Sequence, residues 1–549
     1  MQAFTQTLTI AGIVTRVQLS KAQFQLRCRS GDEFDVQVSP QTSFGVLQNL
    51  DGLARDRVRD VSAEQNWTVA EERTAKYVQS GALLVIEGIY QEYAAARRFD
   101  ARRVVLMHWH KDRFLFEETH WWITQMARLG DRWLEMLFGT VRGYSIEDFA
   151  RFYRTGLNIL GGETDESTQE CATLSRLIYG LSSAYLLTGS ERFYNAARAG
   201  VEYQRETFRS VSHDGKYVFW AFGKRRLPSG DRLIMASENP DDAGTIPLYE
   251  QIYALAGLAQ YYRITQDWDV LDDIRRSVAT FNDYYLDDER ARSRSGFPGY
   301  GSYFSHLDSV TMRPDSPELG DNQLRKNWNS VGDHIPAYLV NLVLSLDPLP
   351  EGGDRETLSE LRETAIRMLE DTATTIVERF PDPDCPYVNE RFHADWSVDH
   401  AWRWQQNRAI VGHNLKIAWN LCRVANYFDG VVATHQRRRE GEQAKHYQTL
   451  VERFRALAVE LGDAMETRGV DGIRGGVFDA VERQPSNGLP IEFSWGNTKD
   501  FWQQEQAILA YLVLHGTRPG DGKYLALARE CAAFWNCFFL DQERRAGTR

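Results

Sequence analysis

Long apolar runs are missing from this 549-residue chain. None reaches the ~18 residues that a membrane span needs, so no spanning helix is expected. The first nineteen residues, MQAFTQTLTIAGIVTRVQL, lack the basic stretch and apolar core of a signal peptide and read as an amphipathic strand. Cytoplasm is the expected compartment. Cysteine is sparse: Cys28, Cys171, Cys385, Cys422, Cys531 and Cys537 are scattered, with no C-x-x-C pair. That pattern implies neither a disulfide framework nor a zinc site, and buried thiols are expected. Positive charge is outnumbered, 64 Lys and Arg against 76 Asp and Glu, for a net −12. An acidic surface disfavours nonspecific binding to nucleic acid or anionic membrane.

What is present suits a folded protein, with 43% hydrophobic and 26% charged residues. The length exceeds one ordinary core, so two domains, or a large barrel with an added module, are expected. Aromatics are plentiful, with 15 Trp, 24 Tyr and 27 Phe. They suit the apolar faces of sugar rings, and equally the filling of a large core.

Organisation changes along the chain. TLTIAGIVTRVQL, AQFQLRCRS, EFDVQVS, ALLVIEGIYQEY and FDARRVVLM alternate apolar and polar residues between turn signals, the mark of antiparallel strands. An inserted helix is expected in VSAEQNWTVAEERTAKYVQ, and Gly88 within VIEGIY suggests a bend or bulge. Residues 1–112 therefore read as a small OB-like antiparallel β-barrel, which could bind a ligand or serve as a packing or dimer module. His108 and His110, in HWHKD, could bind metal on a strand but read better as linker. From 113 to 549 the spacing turns helical. YGLSSAYLLTGSERFYNAARAGVEYQRETF, YALAGLAQYYRITQDWDVLDDIRRSVATFNDYY and AILAYLVLHGTRPGDGKYLALARECAAFWNCFF repeat one plan: a helix rich in small residues, a polar turn, and a helix ending in aromatics. Recurrent hairpins of this kind predict a mainly α (α/α)6 barrel, with its site at the mouth where the Asp-, Gly- and aromatic-bearing loops gather.

Ordered motifs within the barrel resemble the N-acylglucosamine 2-epimerase and cellobiose 2-epimerase family. SRLIYGLSSAYLLTG is similar to its first inner helix and places Arg176 at the family's site arginine. LYEQIYALAGLAQYY matches Y-x-Q-x-F-A-L through Tyr249, Gln251 and Tyr253. DHIPAYLVNLVLSL resembles M-H-x-x-E-A through His334, with Ala337 in place of glutamate. VNERFHADWS carries Glu390 and Trp396, and GGVFDAVER resembles the family's Gly-Gly-aromatic-Asp turn. VGHNLKIAWNLC matches G-H-x-x-E-x-x-W through Gly412, His413 and Trp419, with Lys416 for glutamate. KDFWQQEQAILAY resembles K-x-W-W-x-Q-x-E-A through Lys499, Trp502 and Gln504, with Gln506 for glutamate. The match runs from Leu174 to Asp541, and the β-rich start lies outside it.

The resemblance implies a sugar 2-epimerase or aldose–ketose isomerase acting on a free, N-acylated or disaccharide reducing sugar. His334 and His413 would move the proton next to the carbonyl, since imidazoles titrate near neutrality. Arg176 would stabilise the enediolate. Tyr249, Gln251, Tyr253, Trp396, Lys416, Trp419, Trp502 and Gln506 would bind substrate. No cofactor or metal is called for. The partner expected is a small carbohydrate, with no nucleic acid or membrane; a homodimer is left open. His393, His400 and His515 have no motif and read as structural. Three departures shape the alternatives: Lys416, Gln506, and a chain that ends FFLDQERRAGTR before the family's usual C-terminal histidine segment. They favour a noncatalytic carbohydrate-binding or assembly protein on the same barrel. A glycoside hydrolase is the other alternative, using inward carboxylates among Glu238, Asp241, Asp242 and Asp395.

Overall fold

A computed structural model of the chain describes residues 4–51, 67–93, 96–110, 113–158, 160–164, 167–288, 297, 299–401, 407–484, 498–541 and 546–547. The alternating segments at the start form strands β1 (Phe4–Gln18), β2 (Gln23–Cys28), β3 (Glu33–Gln37), β4 (Ser43–Val46), β5 (Leu83–Tyr93) and β6 (Ala96–Leu106). They make one sheet in the order β3-β2-β1-β5-β6-β4, and a further parallel β3–β6 pairing joins β6 back to β3. In β3 the period is plain: Phe34 and Val36 are buried while Glu33 and Asp35 are exposed. The β5–β6 register shifts between Glu87 and Gly88. A Cβ on Gly88 would lie 2.4 Å from the Asp100 carbonyl oxygen, so the close approach requires glycine. Helix α1 (Val69–Tyr77) starts at a capping box between Thr68 and Glu71. The expected helix was longer, but its stretch 61–66 lies outside the described residues.

β5 and β6 face two ways. Leu84, Ile86 and Val104 enter a small core within the sheet, whereas Leu83, Val85 and Val105 join the helical core. The expected division at 112/113 falls beside residues 111–112, outside the described residues. His108 is buried and meets Phe114 edge-on at 5.1 Å.

Six helical pairs follow: α2 (Trp121–Phe138) with α3 (Ile146–Phe152), α4 (Cys171–Thr188) with α5 (Glu191–Phe208), α6 (Leu248–Thr265) with α7 (Trp268–Thr280), α8 (Val340–Leu346) with α9 (Arg355–Arg379), α10 (Val411–Arg437) with α11 (Gly441–Arg468), and α12 (Phe501–Thr517) with α13 (Gly522–Phe538). The chain is mainly helical. α4 packs on α6, α6 on α8, and α10 on α12. Small residues set the spacing, since a Cβ on Gly257 of α6 would sit 2.4 Å from the Ser175 carbonyl oxygen of α4. Ser175 Oγ, in turn, donates to the Ala254 carbonyl at 3.0 Å. Among the described residues no helix is long and apolar enough to cross a membrane.

Short ladders stand at the N-terminal ends of the inner helices and fix the mouth. Thr245–Pro247 pairs with His306–Asp308, Arg325–Asn327 with Arg391–His393, and Arg408–Ile410 with Ala480–Glu482.

Candidate active site

A cavity of about 320 Å³ opens among these ladders, lined by Asp242, Tyr249, His306, Trp328, His413 and Trp502 among others. His413 sits in the first turn of α10. Its ring stacks on Trp328 with centroids 3.9 Å apart and planes at 14°, and Trp502 lies 5.5 Å away. His413 Nδ1 meets Glu390 Oε1 at 3.0 Å. A carboxylate only accepts, so Nδ1 carries a proton, and in the neutral imidazole the lone pair is on Nε2. The side chain is 16% exposed, so that lone pair can meet a ligand. Trp328 reaches this place because its N–H donates to the Glu390 carbonyl at 2.7 Å, which extends the Arg325–Arg391 ladder.

Asp242 and His306 form a second carboxylate–imidazole pair. His306 Nε2 meets Asp242 Oδ1 at 2.7 Å, and His306 Nδ1 meets Ser305 Oγ at 2.7 Å. Both ring nitrogens are engaged and the ring is 2% exposed. Asp242, at 26%, is the member open to solvent. The turn carrying Asp242 is pinned from α6: Ser237 Oγ donates to Glu250 at 2.6 Å and Asn239 Nδ2 at 2.9 Å. Burial pushes Glu250 up to about 8, above the usual carboxylate range.

Arg176 on α4 donates to Tyr249 Oη at 2.6 Å and lies 3.9 Å over the Tyr253 ring. Burial pushes Tyr249 up to about 12, against the lowering by Arg176, so its hydroxyl keeps its proton. Lys416, one turn beyond His413, pairs with the buried Asp333 and donates to Tyr253 Oη at 3.2 Å. Burial pulls the ammonium down, but Asp333 and Tyr253 outweigh it and the net shift is upward. Lys416 therefore stays charged, with its counter-ion in contact.

Of the three expected catalytic residues, the structure brings His413 to the cavity and Arg176 to its edge, through Tyr249. His334 does not join them. It is fully buried, with Nδ1 on Tyr338 Oη at 3.1 Å and its ring against Phe281 and Tyr303. Among the described residues its Nε2 has no partner, and burial pushes the imidazole down to about 3. Below about 6.5 the unfolded chain binds a proton that the native chain refuses, so His334 lowers stability as pH falls, by about 1.4 kcal/mol per unit between about 6.5 and 3. His334→Phe is expected to flatten that acid limb in urea melts taken from pH 4 to 7. The lost bond to Tyr338 costs about 1 kcal/mol at neutral pH. Turnover is expected to survive; its collapse in a folded variant would return His334 to the chemistry.

Gln251 is also elsewhere. It is buried, and both its amide atoms bond the Trp220 backbone at 2.8 Å, which ties α6 to the Val218–Trp220 strand. Trp396 packs on Phe392 and donates to the Tyr300 carbonyl at 3.1 Å, away from the cavity. Trp419 and Gln506 bond each other at 2.7 Å, deeper than His413 along the inner helices. Tyr249 and Trp502 line the cavity, and Tyr253 and Lys416 stand behind Tyr249. Gly412 is where it is for space: a Cβ there would meet Trp502 at 2.6 Å and Gln503 at 2.8 Å. Gly412→Ala is expected to push Trp502 off the His413 ring and cost about 1–3 kcal/mol of stability, read as a lowered melting temperature together with lost activity.

Sequence reasoning missed His306, Trp328 and Asp333. His306 lies on a short strand, and Trp328 opens a single helical turn, Trp328–Val331, too short to show a helical spacing. Asp333 had a signal: a lysine replacing an inner-helix glutamate needs an acid across from it. Among the described residues no cluster of three His, Cys, Asp or Glu is placed to hold a metal.

No protein-family model matches the sequence, and no curated protein matches it. Solved structures do match. A sugar epimerase from a ruminal bacterium superposes with a TM-score of 0.52 at 15% identity, over 78% of this chain and 89% of that one. The cellobiose 2-epimerase of Spirochaeta thermophila gives 0.52 at 16% identity, over 78% and 88%. That of Bacillus thermoamylovorans gives 0.51 at 13%, over 78% and 90%. The chain has the sugar-epimerase fold. On this fold the mouth carries Tyr249, Glu390, His413 and Trp502 of the ordered motifs.

Proposed function

We propose that the protein is an aldose–ketose isomerase of reducing sugars, with His413 as its base. The observation that carries this is one imidazole with a free Nε2, its Nδ1–H held by Glu390, in a cavity walled by Trp328, Trp502 and Tyr249. An open-chain sugar laid between the indoles presents the hydrogen next to its carbonyl. His413 Nε2 removes that proton from C2, and the C–H electron pair forms the enediolate double bond. The developing oxygen charge falls to the Tyr249 hydroxyl and the Arg176 fork, preorganised donors of the kind such a charge needs. The hydroxyl proton passes from O2 to O1 within the enediolate, and His413, now doubly protonated and facing Glu390, returns the carbon proton to C1 as C2 becomes the carbonyl, which gives the ketose. A single base on one face suffices for this transfer.

A second reading, 2-epimerisation, is favoured by one observation. Asp242, backed by His306, is a second proton carrier in the same cavity and could serve the opposite face. A hydrolase is less well served. Glu238 pairs with Arg225, Asp395 bonds Ser397, and Asp242 and Glu390 are each committed to a histidine. The β-sheet is best read as a packing module, OB-like in its strand plan. Ala11 and Ser30 N–H groups bond the carbonyls of Ile473 and Gly472 at 2.9 and 3.0 Å, and Arg29 pairs with Glu530 at 2.6 Å.

Mannose, N-acetylglucosamine and cellobiose incubated with the protein, with products resolved by NMR, test the proposal. A ketose product supports it, a 2-epimer supports the second reading, and no conversion in the whole panel counts against both.

A further inference from the structure

The inner face of the barrel continues past the mouth. Lys416, Trp419 and Arg423 succeed one another at i, i+3 and i+7 on α10, a spacing that keeps them on one side of the helix. Arg423 therefore lies about 10.5 Å below Lys416, two turns deeper. Its guanidinium lies 5.4 Å over the Trp419 ring, whose Nε1 is held by Gln506. On α6, Arg263 comes ten residues after Tyr253, nearly three turns on and about 80° round the helix. Arg263 and Tyr179 of α4 are each within electrostatic reach of Arg423. Leu344 of α8 and Leu509 of α12, also on inner helices, are 46% and 39% exposed.

Neither Arg423 nor Arg263 has a hydrogen-bond or ion-pair partner among the described residues. Arg263, in the last turn of α6, is favoured there by the helix dipole. Arg423 has no such excuse: it is mid-helix, half-buried, and faces another cation. Burial holds it below the usual arginine range; Tyr179 opposes this, and Arg263 adds to the lowering. In a chain of net charge −12, a carboxylate partner would have been easy to supply.

We infer that Arg423, seated on Trp419 with Arg263 beside it, binds an oxyanion carried by the substrate itself. The substrate class is then an acidic disaccharide or longer chain, with its reducing end at His413 and a carboxylate, sulfate or phosphate deeper along α10, where the Arg423 guanidinium reaches back over Trp419. The inference rests on the isomerase reading for the place of the reducing end.

Calorimetry at low salt with cellobiose and with its acidic counterpart, glucuronosyl-(1→4)-glucose, reads the charge directly and needs no turnover. The acidic sugar is expected to bind about tenfold tighter or better, as a charge-assisted contact in a partly dry lumen implies. Arg423→Gln is expected to erase that preference and leave cellobiose affinity unchanged, while Arg423→Lys keeps part of it. Equal affinities, no binding of either sugar, or a preference that survives Arg423→Gln would overturn the proposal. So would a result in which free sulfate binds at Arg423 but the acidic sugar gains nothing. A preference for the acidic sugar without conversion would sink the isomerase reading and leave the anion site standing. Conversion of cellobiose without the preference would do the reverse.

Discussion

His413→Ala is expected to lower turnover by about 10²–10⁴-fold, the usual worth of a positioned general base. Binding of the sugar should change far less, because the walls that hold it, Trp328, Trp502 and Tyr249, remain. The loss should therefore fall on kcat rather than KM, as for an interaction made only in the transition state. Glu390→Gln should lose less. It keeps the shape but replaces the acceptor that fixes the Nδ1–H tautomer and faces the imidazolium formed in the reaction. A His413→Ala variant that folds and turns over at the native rate would remove the base from the account.

The largest expected effect on stability lies one turn deeper. Asp333→Leu leaves the Lys416 ammonium buried without its counter-ion, and is expected to cost about 3–5 kcal/mol. Lys416→Met alone should cost comparably, because Asp333, 1% exposed, is left charged and dry. The double variant Asp333→Leu with Lys416→Met should recover most of the loss, since an apolar pair of similar volume can replace a buried ion pair. Urea melts of the two singles and the double close the cycle. Additive losses would mean that the two charges do not depend on each other.

The helical hairpins were legible because a period near 3.6 with small residues on one side has few other solutions. The sheet was legible because its period is 2. Arg176, Tyr249, His413 and Trp502 were legible because each motif starts at the mouth end of an inner helix. The errors have definite causes. Gln251 is two residues from Tyr249, about 200° round the helix, so the two cannot share a face; Tyr253, four residues on, does share it, and the rings meet at 4.9 Å. His334 precedes Ile335–Leu339, which winds as a π-helical turn with Pro336 at its start. A π turn breaks the phase on which its placement depended. The ring turns into the core, and the neighbouring Asp333 faces Lys416 instead. His306, on a short strand, and Asp242, on the turn before its partner strand, are 64 residues apart and meet through the Thr245–Asp308 ladder.

The claim on which the rest depends is that the open nitrogen of His413 takes the hydrogen from the sugar carbon beside the carbonyl. Incubation in D2O reads this atom by atom. The native protein should exchange solvent deuterium into that carbon of at least one reducing sugar, and His413→Ala should not, with sugar affinity retained. Deuterium uptake that is equal in the two proteins, or absent from the native protein with every sugar that binds, would contradict it.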